Sequence, residues 1–381
     1  MSRKLISIST IMTLMSTSVM ADVPNVAADI APVHSLVSRV MDGVGEPKLV
    51  IQSGASPHGY RLRPSEAKAL QDANLIFWMG EELTPWLDGA IDTLASNASV
   101  TSLLDQEGVV LHEFREGALF EAHDHSAHDD HDDHDDHDDH DDHKDHDDHD
   151  DHDDQDDHKD HDDHDDHDDH DDHDDHDDHK DHDDHDDHDD HDDHDDHDDH
   201  KDHDDHDDHG HGAHDPHAWL SPENAKLWLN IIASKLSVAD PENAATYFTN
   251  AAAGQAEIEE MISEVSATLK PVKGGKFVVF HDAYQYFEND FNFYASGAIS
   301  LSDASDPSPA RIAKIQKRIR DEGIQCVLAE PQFKQGLVAT VMEGSEATAS
   351  VIDPLGADIK PGPKLYTQLI KNMAKTLKNC L

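Results

Sequence analysis

The chain has 381 residues, with 86 acidic, 28 basic and 36 histidine residues and a formal net charge of -58. No basic stripe exists, which argues against nucleic acid as a partner. Most of the charge sits in one segment, 121–215, with 53 acidic and 4 basic residues for a net of -49; the other ~285 residues carry -9 and are enough for two lobes of ordinary domain size.

The first residues read as a secretory leader. Arg3 and Lys4 precede a short apolar core, Leu5 to Met15, and Val19-Met20-Ala21 fits a small-residue cleavage site, so the mature chain is expected to start at Asp22. The apolar run is too short for a membrane anchor, and no Cys stands near the cleavage point for a lipid. The expectation is a soluble, exported, periplasmic protein, a monomer.

Short apolar runs then alternate with helical periods. A strand is expected in Val23–Ile30, a helix over His34–Met41 with Leu36, Val37 and Val40 on one side, and a strand at Lys48–Ile51. His34 reads as surface or packing. Ser65 is expected to cap a helix, Leu75–Trp78 to be a buried strand, Glu81–Ile91 a helix, and Val100–Leu104 and Val109–Leu111 strands.

From His123 to His214 the chain is a run of Asp-Asp-His triplets holding 31 of the 36 histidines. Lysines at 144, 159, 180 and 201 punctuate it, the last two intervals both being 21 residues, as in a duplicated unit. With almost no apolar residue, nothing offsets the entropy of ordering it, and like charges three residues apart repel. It is expected to be a disordered, solvated loop. Imidazole suits Zn, Cu and Ni, so a His in every third place points to weak divalent-metal binding, where a plain charged spacer would need only Asp.

Beyond the run, Ser221-Pro222 opens a helix, and Asp240-Pro241 starts a helical stretch to about Leu269, long enough to connect two lobes. Strands follow at Lys276–Phe280, Phe291–Ala295 with Ile299, Cys326–Ala329 and Ala349–Ile352; helices are expected near Tyr286–Asn289, from Ser308 to Arg320, and from Gly362 to the end. The resulting division is a leader (1–21), an N-terminal lobe (22–120), the run (121–215), the rest of that lobe (216–240), a linking helix (241–270) and a C-terminal lobe (271–381). The fold class is α/β, two parallel-sheet lobes joined by a long rigid helix, with the run inserted in the first.

His58, His217, His281 and Asp353 each lie close to a strand end or at the exit of the run. In open α/β sheets ligands bind off the carboxyl ends of strands, and zinc takes four ligands from His, Cys and Asp/Glu. Taken singly, each reads more readily as a packed or capping residue than as a ligand, and His112 also follows a strand. Two cysteines, Cys326 and Cys380, fit one disulfide in an oxidising compartment; two metal ligands are the alternative, without the usual Cys-x-x-Cys spacing.

The segments GASPHGYRLRPSE, HDPHAWLSPENA, VVFHDAYQYF, LAEPQF and VIDPLG resemble the cluster A-I periplasmic solute-binding proteins, and most closely their zinc-specific ZnuA type. The resemblance covers nearly all of the chain outside leader and run. It implies two α/β lobes joined by one helix, a metal in the interlobe cleft and delivery to an ABC-type membrane permease. Carried over position by position, His58, His217 and His281 match three zinc-binding histidines and Asp353 the carboxylate that closes the site in several relatives, with water or a His of the run as alternatives. Pro57 stands where some zinc members have Glu. Manganese members tend to have Glu at the position of His281, and a third imidazole favours Zn²⁺. Tyr60, Trp219 and Asp282 are candidates to orient the ligand rings. His112 matches no motif and is taken as surface. The Cys326–Cys380 disulfide is also familiar in the group.

Zinc capture for import is thus the expected function, with a periplasmic zinc buffer or metallochaperone acting through the run as the alternative. A zinc hydrolase with Glu330 as base is disfavoured, since neither HExxH nor a nucleophile elbow occurs.

Overall fold

The computed structural model describes residues 23–115, 120, 214–300, 307–333 and 335–381, all within one compact unit. The expected leader, and the run up to Ala213, lie outside these residues.

The first half holds a parallel sheet of β1 (Val26–Ala28), β2 (Lys48–Leu49), β3 (Leu75–Trp78) and β4 (Ser99–Ser102), in the order β2-β1-β3-β4. Its crossovers are α1 (Ala31–Val40), α2 (Pro64–Gln71) and α3 (Pro85–Leu94). Then come α4 (Pro222–Ala239) and α5 (Ala244–Leu269). The second sheet repeats the plan: β5 (Phe277–His281), β6 (Ala298–Ser300), β7 (Cys326–Ala329) and β8 (Thr348–Val351), in the order β6-β5-β7-β8, with α6 (Gln285–Phe291), α7 (Pro309–Glu322), α8 (Gln335–Met342) and the closing α9 (Leu365–Cys380). The central strands β1, β3, β5 and β7 are buried on both faces, which is why they read as unbroken apolar runs. In both sheets the chain reverses its order of winding between the two central strands, so each has a crevice at its carboxyl edge there.

The long helix is more than a rod between lobes. It packs against α1, α4 and α9, and one apolar core runs through both halves. Gly254 permits this: a Cβ there would stand 3.0 Å from Leu229 Cδ1 and 3.1 Å from Arg39 Cγ. Cys326 and Cys380 form a disulfide that ties β7 to the end of α9.

Several local expectations are corrected. Arg63, not Ser65, caps α2: Pro64 takes the first helical position and the Glu66 carboxylate accepts from the Arg63 amide at 2.7 Å. The helix expected from Glu81 starts at Pro85, because a residue before proline is pushed out of the helical region. Val109–Leu111 forms no strand; the Asn224 side chain takes both the amide (2.9 Å) and the carbonyl (3.0 Å) of Val110. Phe291 closes α6, Asn292 turns left-handed (φ 50°), and the expected strand over 291–295 is absent. The helix α8 carried no clear signal.

Candidate metal centre

The carboxyl edges of both sheets, the turn before α4 and the loop after β2 meet at one cleft of about 270 Å³. It is lined by His58, His217 and His281, with Trp219, Glu330 and Gln332 among their neighbours. Each histidine arrives by a different device. His281 is the last residue of β5, at the crevice of the second sheet. Glu330 follows β7 across the same crevice, and the His281 ring donates from Nδ1 to Glu330 Oε1 at 2.6 Å. His217 lies just ahead of the short helical turn Ala218–Leu220 and donates from Nδ1 to Asp215 Oδ1 at 2.7 Å. His58 sits in the loop after β2, which is anchored where Trp86 Nε1 donates to the Pro57 carbonyl at 2.7 Å.

A carboxylate that accepts from Nδ1 fixes the tautomer and leaves the Nε2 lone pair facing the cleft. His217 Nε2 and His281 Nε2 stand 3.3 Å apart, their ring centroids 5.2 Å apart. Two lone pairs at that distance repel unless a cation lies near both. Tetrahedral zinc with Zn–N of 2.0–2.1 Å sets neighbouring nitrogens about 3.3 Å apart. His217 and His281 are 5% and 4% exposed, so they are held rigidly. The His58 ring centroid is 5.5 Å from that of His217. Among the described residues no group of three or more His, Cys, Asp and Glu is already drawn to ligand distance.

The remaining expected residues fall differently. Asp353 lines another groove, beside β8 and α9, and its carboxylate accepts from the amides of Leu355 (2.9 Å), Gly356 (3.0 Å) and Ala357 (2.5 Å). It caps a turn, and the residues that line the histidine cleft include its neighbours Pro354 and Leu355 but not Asp353 itself. Tyr60 donates to Glu66 at 2.8 Å and packs on Trp86, which braces the His58 loop. Trp219 packs 5.2 Å from His217 and donates from Nε1 to the Pro354 carbonyl at 2.8 Å, which places the loop after β8 beside the cleft. Asp282 pairs with Arg115. Burial pushes the Asp282 carboxyl up, and Arg115 pulls it back. Arg115 also donates to Glu288 at 2.6 Å; burial lifts that carboxyl to about 7 against the same guanidinium.

The groups that do orient the rings, Asp215 and Glu330, were legible only in part. Asp215 looked like the last acid of the run, yet it is 1% exposed. Its neighbour His214 bridges Glu113, so the end of the run belongs to the folded protein and not to a solvated loop. The spacing Asp-x-His in HDPHAW was the available signal. His112 is likewise no free surface residue: its ring packs 4.6 Å from Tyr286, and its amide donates to the Tyr286 hydroxyl.

Two parallel α/β halves with paired, carboxylate-backed imidazoles at their junction define a metal-binding protein of the two-lobed solute-receptor class. The chain belongs to the ZnuA family, described as zinc-uptake complex component A, periplasmic, whose model matches residues 26–380. It is 44% identical over 356 residues to the high-affinity zinc uptake system protein ZnuA of Brucella abortus, covering 93% of this chain and 91% of that one. The ZnuA of Paracoccus denitrificans is 40% identical, with 95% and 93% covered. A crystal structure of ZnuA shares the fold at a TM-score of 0.62 and 19% identity, over 94% of this chain and 99% of the other. Among the described residues no helix is long and apolar enough to cross a membrane.

Proposed function

We propose that this chain is the periplasmic receptor of a zinc importer, which captures Zn²⁺ in the cleft and delivers it to an ABC-type permease. The observation that carries the reading is the pair of Nε2 atoms 3.3 Å apart, each on a ring whose Nδ1 is held by a buried carboxylate. His217 and His281 hold the ion, and His58, on its loop, swings in as the third ligand. Three neutral imidazoles and oxygen at the fourth position suit zinc better than manganese. Glu330 is committed to His281, which leaves it poorly placed as the base of a hydrolase. The family description and the zinc-uptake names of relatives support the same reading. An N-terminal leader would place the protein in the periplasm.

Zinc competition against a strong chelator tests it. One ion should bind tightly to the full chain, and equally to a chain lacking 121–213, a deletion that spares His214 and Asp215. His217→Ala and His281→Ala should each abolish the tight site. If instead the tight binding disappears with the run and survives those substitutions, the protein is a zinc buffer acting through its Asp/His triplets.

A further inference from the structure

Three imidazoles leave zinc one coordination position short. Asp353 is not among the residues that line the cleft, and its carboxylate accepts from three backbone amides. Among the polar groups that line the cleft, Glu330 is taken by His281 and the Trp219 indole by the Pro354 carbonyl. Gln332 is different. It lines the same cleft, two residues beyond Glu330 on the loop after β7. Both its amide oxygen and its amide nitrogen are buried, and among the described residues neither has a hydrogen-bond partner.

A buried, unpaired carboxamide costs about 1–3 kcal/mol for each group left unsatisfied. An apolar residue of similar volume would avoid that cost, so an unsatisfied pair beside a ligand cluster calls for a partner of its own. Building on the zinc reading above, we propose that Gln332 serves the fourth coordination position: its amide oxygen accepts a hydrogen bond from the water that completes the tetrahedron around the ion. A carboxamide is suited to this. It is neutral, so it adds no charge that would favour harder divalent ions, and its oxygen stabilises a bound water that the cation has made a better donor. Because Gln332 and Glu330 share one loop, the group that orients His281 and the group that closes the site move together.

The test uses the full chain with Gln332→Leu and Gln332→Glu. Zinc affinity is measured by chelator competition, and the visible spectrum is recorded with one equivalent of Co²⁺ as a probe of coordination. Gln332→Leu is expected to weaken zinc about 10-fold and to alter the Co²⁺ spectrum, while the metal-free protein melts no lower than the parent. Gln332→Glu, which keeps an oxygen there, is expected to retain tight zinc. Parent-like affinity and spectrum in Gln332→Leu would overturn the assignment and make the side chain packing only. Loss of zinc in Gln332→Glu as severe as in Gln332→Leu would also overturn it. A parent chain with no tight zinc at all would sink the zinc reading itself, a result separate from either.

Discussion

At the residue scale the centre depends on tautomers. Asp215 and Glu330 each accept from an Nδ1–H, and that alone directs both Nε2 lone pairs to one point. An amide in either place can donate to Nδ1 instead, which moves the ring proton to Nε2 and blocks the ligand atom. Asp215→Asn and Glu330→Gln should each weaken zinc ~10–100-fold, read by chelator competition. Affinity unchanged in both would mean the carboxylates do not orient the rings. Neither residue was legible in the sequence as a partner of a ring: Asp215 was one of 53 acids in the charged segment, and Glu330 drew notice only as the base of a disfavoured hydrolase.

At the element scale, two helices report on packing. In α1, His34 is 8% exposed and lies between the Pro47 carbonyl at 3.1 Å and the Ser38 hydroxyl. Burial holds its imidazole below the usual range, although Pro47 and Glu46 oppose this. The unfolded chain therefore takes up the proton first, and His34 contributes stability that is present above ~6.5 and lost as the pH falls below it. The melting temperature of the parent should drop more between pH 7.5 and 5.5 than that of His34→Gln; equal drops would show that His34 plays no part. In α5, Gly254 allows the close approach of α4 and α1, and Gly254→Val would force the Leu229 and Arg39 side chains aside. Overpacking of this kind costs about 1–3 kcal/mol, visible in urea unfolding as a lower midpoint at unchanged slope.

At the scale of the whole molecule, the halves are held together by more than one strand of chain. α9 returns from the second half to pack on α5 and α1, and Ser35 in α1 accepts from the Tyr366 amide at 2.9 Å and donates to the Gly362 carbonyl at 2.8 Å. Near the root of the run, Arg115 reaches across to Asp282 and Glu288, which are 6% and 1% exposed. Removing the guanidinium strands two buried carboxylates, so Arg115→Ala should cost ~3–5 kcal/mol in chemical denaturation. Arg115→Lys, which keeps the charge but not the fork, should recover part of it. A loss below 1 kcal/mol would mean the ion pairs are screened by solvent.

Taken alone, the sequence determined the two parallel sheets, since β1, β3, β5 and β7 are short apolar runs bounded by turn residues, and it determined the long helix and α4 with its Ser221 cap, while its resemblance to a family singled out His58, His217 and His281, which line one cleft. These are properties of local pattern, or of motifs that keep their order along the chain. The tertiary structure decided the rest. It spent the Asp353 carboxylate on three amides of its own turn, gave the ring-orienting role to Asp215 and Glu330, and drew the last two residues of the Asp/His run into the fold. A carboxylate reads the same in sequence whether it faces a ring, a backbone turn or water. Only the groups brought to it from distant parts of the chain select among them.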